Sequence, residues 1–128
     1  MPRQPLIESG QQAAQSAYSP YSSLRVGAAV LAGQDIYNGC NIENVSYGLT
    51  ICAERVAIFK AISAGHRQIQ AVFVTALAAA DAASPSGVMP CGACLQVMAE
   101  FGGPDLLVIV EHAGEFHLRD LLPKPFAL

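Results

Sequence analysis

Residues 50–60, "TICAERVAIFK", decide the fold. Thr50 offers a helix cap and Gly65 a helix stop, which predicts a helix over Ile51–Ala64. Its apolar residues fall on nearly every face, so it is expected to lie centrally and covered. Three charged or reactive groups nevertheless crowd its start: Cys52, Glu54 and Arg55.

Working outward, residues 4–17 predict a first helix, followed by a polar loop "YSPYSS". "VGAAVLA" and "DIYNGCNIE" flank the dipeptide "GQ" and predict a hairpin, after which "NVSYGL" reads as a loop. "IQAVFVTAL" has the pattern of a buried strand, and Ala78–Met89 reads as a loop. Pro90 suits the first turn of a helix, "CGACLQVMAEF", that stops at Gly102-Gly103-Pro104. "LLVIV" is a further buried strand, and "EFHLRDLLPKPFAL" gives a short strand, a helical turn and a tail. Helix, hairpin, helix, strand, helix, strand, strand implies the α/β class: a three-layer α/β/α sandwich around a five-stranded mixed sheet, with residues 1–128 as a single domain.

The 128 residues suffice for one core. Charged residues make up 13% and apolar ones 52%, against about 25% charged in ordinary soluble domains. No apolar run reaches the ~18 residues of a membrane span, so the apolar excess is expected between subunits. A net charge of −3 without a Lys/Arg cluster argues against nucleic acid as a partner. No signal-like start is present, so a cytoplasmic location is expected, and reduced cysteines then favour metal binding over disulfides.

"PCGAC" places Cys91 and Cys94 three residues apart at a helix start, where two thiols can hold one tetrahedral metal. Cys52 stands at the other helix start, and N-terminal N–H groups favour the thiolate form at both. Three thiolates would leave a fourth position for water, the mark of a catalytic zinc site. Glu54, two residues beyond Cys52, could lean over that position and move protons. The fourth cysteine, Cys40, reads as a small strand residue. A closed four-cysteine zinc that includes it would leave Glu54 unexplained. His66, His112 and His117 lack ligand spacing and read as surface or packing residues.

The combination "AYSPYSSLRVGAAV", "GCNIENVSYGLTICAER", "PCGACLQVM" and "LLPKPF" resembles the zinc-dependent cytidine deaminases of the small homotetrameric type. The resemblance implies one Zn²⁺ per subunit on Cys52, Cys91 and Cys94, with Glu54 as proton shuttle. It implies a nucleoside substrate and hydrolytic deamination of cytidine and 2′-deoxycytidine in pyrimidine salvage. Asn41 and Glu43 match a pair that hydrogen-bonds the ribose 3′-hydroxyl. Ala53 matches a backbone position that recognises the pyrimidine. Phe126 and Tyr47 match aromatics that reach a neighbouring subunit. Arg55 matches a residue that donates to a ligand sulfur. Two positions depart from the pattern: Leu95 stands where the family has Arg, and Leu24 where it has an aromatic against the substrate. A deaminase of another cytosine nucleoside, such as blasticidin S, and a non-catalytic zinc-stabilised subunit are the alternative readings.

Overall fold

The computed structural model describes residues 1–77 and 87–128, so most of the expected loop Ala78–Met89 lies outside the described residues. The elements are α1 (Arg3–Ala14), β1 (Arg25–Ala32), β2 (Asp35–Cys40), α2 (Ala53–Ser63), β3 (Ala71–Leu77), α3 (Gly92–Phe101), β4 (Leu107–Val110), β5 (Gly114–His117) and α4 (Leu118–Leu121). A single 3₁₀ turn at Tyr47–Leu49 interrupts the expected loop before α2.

The strands form one five-stranded sheet in the order β2-β1-β3-β4-β5. Only β3 and β4 run parallel, and the other three pairs are antiparallel, so the sheet is mixed as expected. The β1–β2 hairpin closes over Gly33-Gln34, where Gly33 takes φ 62°, a region that glycine enters without a Cβ penalty.

Alternation along the central strands sends side chains to both faces. Ala28, Val30, Val72, Val74 and Val108 pack with Ala57, Ile58 and Ala61 of α2 and with Cys94 and Met98 of α3. Ala29, Leu31, Phe73 and Ile109 pack with Leu6 of α1 on the opposite face. That arrangement is the three-layer α/β/α sandwich.

Small residues set how closely the helices approach the sheet. A Cβ on Gly27 of β1 would lie 2.1 Å from the Gly10 carbonyl of α1. On β2, a Cβ on Gly39 would lie 2.7 Å from the Ala57 amide and 2.8 Å from the Ala53 carbonyl. The missing Cβ at Gly39 thus fixes where the start of α2 sits. Gly39→Ala is expected to push α2 outward and cost about 1–3 kcal/mol by overpacking, measured as a fall in Tm. An unchanged Tm would show that α2 can shift freely.

Four expectations need correction. The strand "DIYNGCNIE" ends at Cys40, because Ile42 leaves it to bridge Ile51, with N–H···O distances of 2.9 and 3.0 Å. That bridge holds Ile51 extended, so α2 begins at Ala53 with Cys52 as its N-cap. Thr50 is therefore not the cap, and its hydroxyl accepts from the Asn44 amide instead. Pro90 likewise lies outside α3, whose N-cap is Cys91. Finally, α2 is not covered on all sides within one chain. Ala53, Glu54, Ala57, Ile58 and Ala61 face inward, while Phe59 is 46% exposed on the far side.

Candidate active site

Helices α2 and α3 lie on one face of the sheet with their N-termini brought together. Cys52 and Cys91 are the two N-caps, in extended backbone conformations, and neither side chain caps its own helix. A thiol is a poor substitute for the Ser, Thr or Asp usual there, so each sulfur stays free for another partner. Cys94 sits one turn into α3 and is fully buried.

The three sulfurs converge. Cys52 Sγ lies 3.8 Å from Cys91 Sγ, Cys91 Sγ lies 3.6 Å from Cys94 Sγ, and all three fall within 4.8 Å of one another. Tetrahedral ligation at about 2.3 Å per Zn–S bond requires sulfurs about 3.8 Å apart. The donor set therefore fits zinc in type and in spacing. Among the described residues, Cys40 is not in this cluster, and neither is any carboxylate oxygen. Burial falls from Cys94 through half-buried Cys52 to exposed Cys91, so one side of the cluster is open to solvent.

Electrostatics points the same way. The Cys52 thiol is pulled down to about 5, chiefly by a hydrogen bond from the Cys94 thiol and also by Arg55. The Cys94 thiol is pushed up in turn, because its proton is held against the Cys52 thiolate. Three thiols this close cannot all ionise without a cation among them. Arg55 Nη2 donates to Cys52 Sγ at 3.4 Å, and that bond holds the guanidinium protonated. Its Nε is buried without a partner among the described residues.

Glu54 is 4% exposed. Burial raises its carboxyl to about 7, the Cys52 thiolate adds to the rise, and its own backbone N–H and Arg55 oppose it. A first-turn carboxylate is ordinarily favoured as the anion by the helix dipole, but here desolvation outweighs the dipole. A carboxyl that changes charge near neutrality can both accept and donate a proton.

Asn41 and Glu43 form a second group, engaged with the chain's own backbone. Asn41 Oδ1 accepts from the Val26 amide and its Nδ2 donates to the Leu24 carbonyl, both at 2.8 Å. Glu43 Oε1 accepts from the amides of Tyr21 and Ser22 at 3.0 and 3.1 Å, while Oε2 accepts from the Ser22 hydroxyl. The Ser22 bond and these amides hold the Glu43 carboxyl below its ordinary value. Together they pin the 19–24 loop, in which Ser23 is held at φ 61°, a conformation costing about 1–2 kcal/mol for a residue with a Cβ. That loop presents Leu24, which is 38% exposed. The amide keeps a second N–H and a free lone pair, so neither residue is exhausted as a ligand group.

The remaining expected residues separate. Ala53 is buried as the first residue of α2, and Leu95 is buried in the main core cluster. Tyr47 is exposed and meets Tyr21 edge-on, with ring centroids 6.0 Å apart. Phe126 lies at the surface, its carbonyl accepting a 3.0 Å bond from Gln96 of α3. Sequence reasoning missed Ser22 and Tyr21 as partners of Glu43, and it missed Gln96. The only local signals were the doubled serine of "SPYSS" and an unassigned amide two residues after Cys94.

The family model of the cytidine and deoxycytidylate deaminase zinc-binding region matches residues 2–110. A cytidine deaminase of Sporosarcina psychrophila is 51% identical over 95% of this chain and 89% of its own length. A cytidine deaminase of Halalkalibacterium halodurans is 47% identical over 98% of this chain and 95% of its own. Among solved structures, the cytidine deaminase of Burkholderia pseudomallei superposes with a TM-score of 0.86 at 40% identity, covering 98% of this chain and all of that one. The zinc-binding description and the three-thiol cluster assign zinc as the metal of this chain.

Proposed function

The chain belongs to the zinc-binding cytidine and deoxycytidylate deaminase family, and on that premise we propose that it hydrolyses free cytidine and 2′-deoxycytidine to uridine and 2′-deoxyuridine plus ammonia, as a step of pyrimidine salvage. The observation that carries this reading is the placement of Glu54, buried in the first turn of α2, beside three converging sulfurs.

Cys52, Cys91 and Cys94 hold the zinc, which supplies Lewis acidity that activates water near pH 7. Glu54 takes a proton from the attacking water and passes it to ring N3. The water oxygen bonds to C4 of the pyrimidine, Glu54 takes the second proton from the resulting C4 hydroxyl, and it delivers that proton to the amine as the C4–N4 bond breaks and the C4 carbonyl forms. Water is consumed and ammonia released, with no net change at Glu54. The Ala53 backbone orients the pyrimidine. Asn41 and Glu43 bind the ribose 3′-hydroxyl through the hydrogen-bonding capacity their loop contacts leave free. Leu24 packs against the ligand without stacking. Arg55 offsets the charge of the three thiolates, alone where Leu95 supplies no donor.

We further read residues 1–128 as one domain that assembles as a homotetramer in the cytoplasm, with Tyr47 and Phe126 completing a neighbour's site. Support comes from the exposed apolar side chains Val45, Tyr47, Leu49, Phe59 and Phe126, between 46% and 78% accessible. Among the described residues no helix is long and apolar enough to cross a membrane. Sedimentation equilibrium is expected to give four times the chain mass of 13.4 kDa, whereas a fully active monomer would refute the shared site.

The reaction itself is tested by following ultraviolet absorbance with cytidine, deoxycytidine, cytosine, CMP and blasticidin S side by side. Turnover of the first two is expected. Turnover of blasticidin S alone would replace the reading with the antibiotic deaminase, and turnover of none would favour a non-catalytic zinc protein.

A further inference from the structure

The C-terminal tail is held at two points. Its near end is fixed by α4, where the His117 amide donates to Asp120 Oδ2 at 2.9 Å and Leu118, Leu121 and Leu122 join the main core cluster. Residues 123–128 then leave the core and are exposed throughout. Pro123 and Pro125 restrict the backbone of this stretch. Among the described residues, its one hydrogen bond runs from Gln96 Nε2 to the Phe126 carbonyl, at 3.0 Å. Gln96 itself is half-buried on α3, two residues after the ligand Cys94. On that helix Cys94, Leu95 and Met98 face the core, while Gln96, Ala99 and Glu100 line a groove against Pro125 and Phe126. Phe126 as a whole stays 74% exposed although its carbonyl is bonded to Gln96, so its backbone is seated on this chain and its side chain is left for something outside it.

We propose that Gln96 is a positioning residue for the deaminase reaction: by gripping the Phe126 carbonyl it fixes the tail on the helix that carries two metal ligands, and so aims the Phe126 ring at the nucleoside base in the neighbouring subunit's site. The proposal rests on the reading of Phe126 as a substrate contact. Fixing the tail before assembly removes rotational freedom that would otherwise be lost on substrate binding. The residue therefore acts on substrate affinity and not on the proton transfers of Glu54.

The test compares cytidine kinetics, zinc content and Tm of the assembled enzyme for Gln96→Glu, Gln96→Lys, Phe126→Ala and the Gln96→Glu/Phe126→Ala double variant. Gln96→Glu keeps the shape and loses the donor, so KM is expected to rise roughly three- to tenfold with kcat and zinc unchanged. Gln96→Lys restores a donor and is expected to return KM to within about twofold of the parent. Phe126→Ala is expected to raise KM, and the double variant to be no worse than Phe126→Ala, because both changes remove one contribution. An additive double variant, or a Gln96→Glu effect on kcat or zinc in place of KM, would overturn the proposal. If Phe126→Ala raises KM and Gln96→Glu does not, Gln96 fails while the Phe126 reading stands. If Phe126→Ala leaves KM unchanged, the Phe126 reading fails and Gln96 with it.

Discussion

Glu54→Gln is expected to lose about 10²- to 10⁴-fold in kcat while retaining a full complement of zinc. The substitution keeps the volume and the inward direction of the side chain, so the packing of α2 is preserved. What it removes is the one carboxyl that burial has brought to about 7, where it can take a proton and return it within a single turnover. It also removes a negative charge beside the Cys52 thiolate, which should not weaken the folded state, because the charged form is the one burial disfavours. Steady-state kinetics with metal analysis on the same preparation checks this. Retained turnover would take Glu54 out of the reaction, and lost zinc would make it a structural support of the metal.

Cys94→Ala should have the second large effect, on a different quantity. Cys94 is fully buried, yet the change removes a single sulfur atom, so the loss of packing alone is small. Loss of the metal is not small. A site holding its ion at a hundredfold excess over Kd contributes about 2.7 kcal/mol to the folded state. For a domain of this size that corresponds to a fall in Tm of about 10 °C. The variant is therefore expected to lack zinc, lack activity and melt early, and a chelator should bring the parent protein to the same Tm without lowering that of the variant. A Cys94→Ala protein that keeps its zinc would break the ligand assignment.

The two predictions separate the parts of the site that sequence makes legible. The thiols and Glu54 are readable because their chemistry is local: three cysteines at two helix starts, with a carboxylate that no packing role explains. The sheet is readable because strands such as "VGAAVLA" and "LLVIV" are apolar on both faces, as central strands must be. Helix starts are not legible to the residue, since the boundary of α2 depends on Ile51 pairing with Ile42, nine positions back across the 3₁₀ turn. For the same reason the chain alone suggests Thr50 as the cap, whereas Cys52 occupies that place. The polar pair Asn41 and Glu43 can be picked out as a binding candidate, but not as the clamp that holds the 19–24 loop, because their partners lie about 15–22 residues away in sequence. Gly39 and Gln96 are illegible for a related reason. Each matters through its approach to one element distant in sequence, and nothing in its neighbours announces that approach.

The central claim is that the three sulfurs hold a zinc with one position left open for chemistry. Zinc-edge X-ray absorption on the purified protein tests it most directly. Three sulfurs at about 2.3 Å and one oxygen or nitrogen at about 2.0–2.2 Å are expected. Four sulfurs, which would bring Cys40 or a second chain into the site, would contradict it.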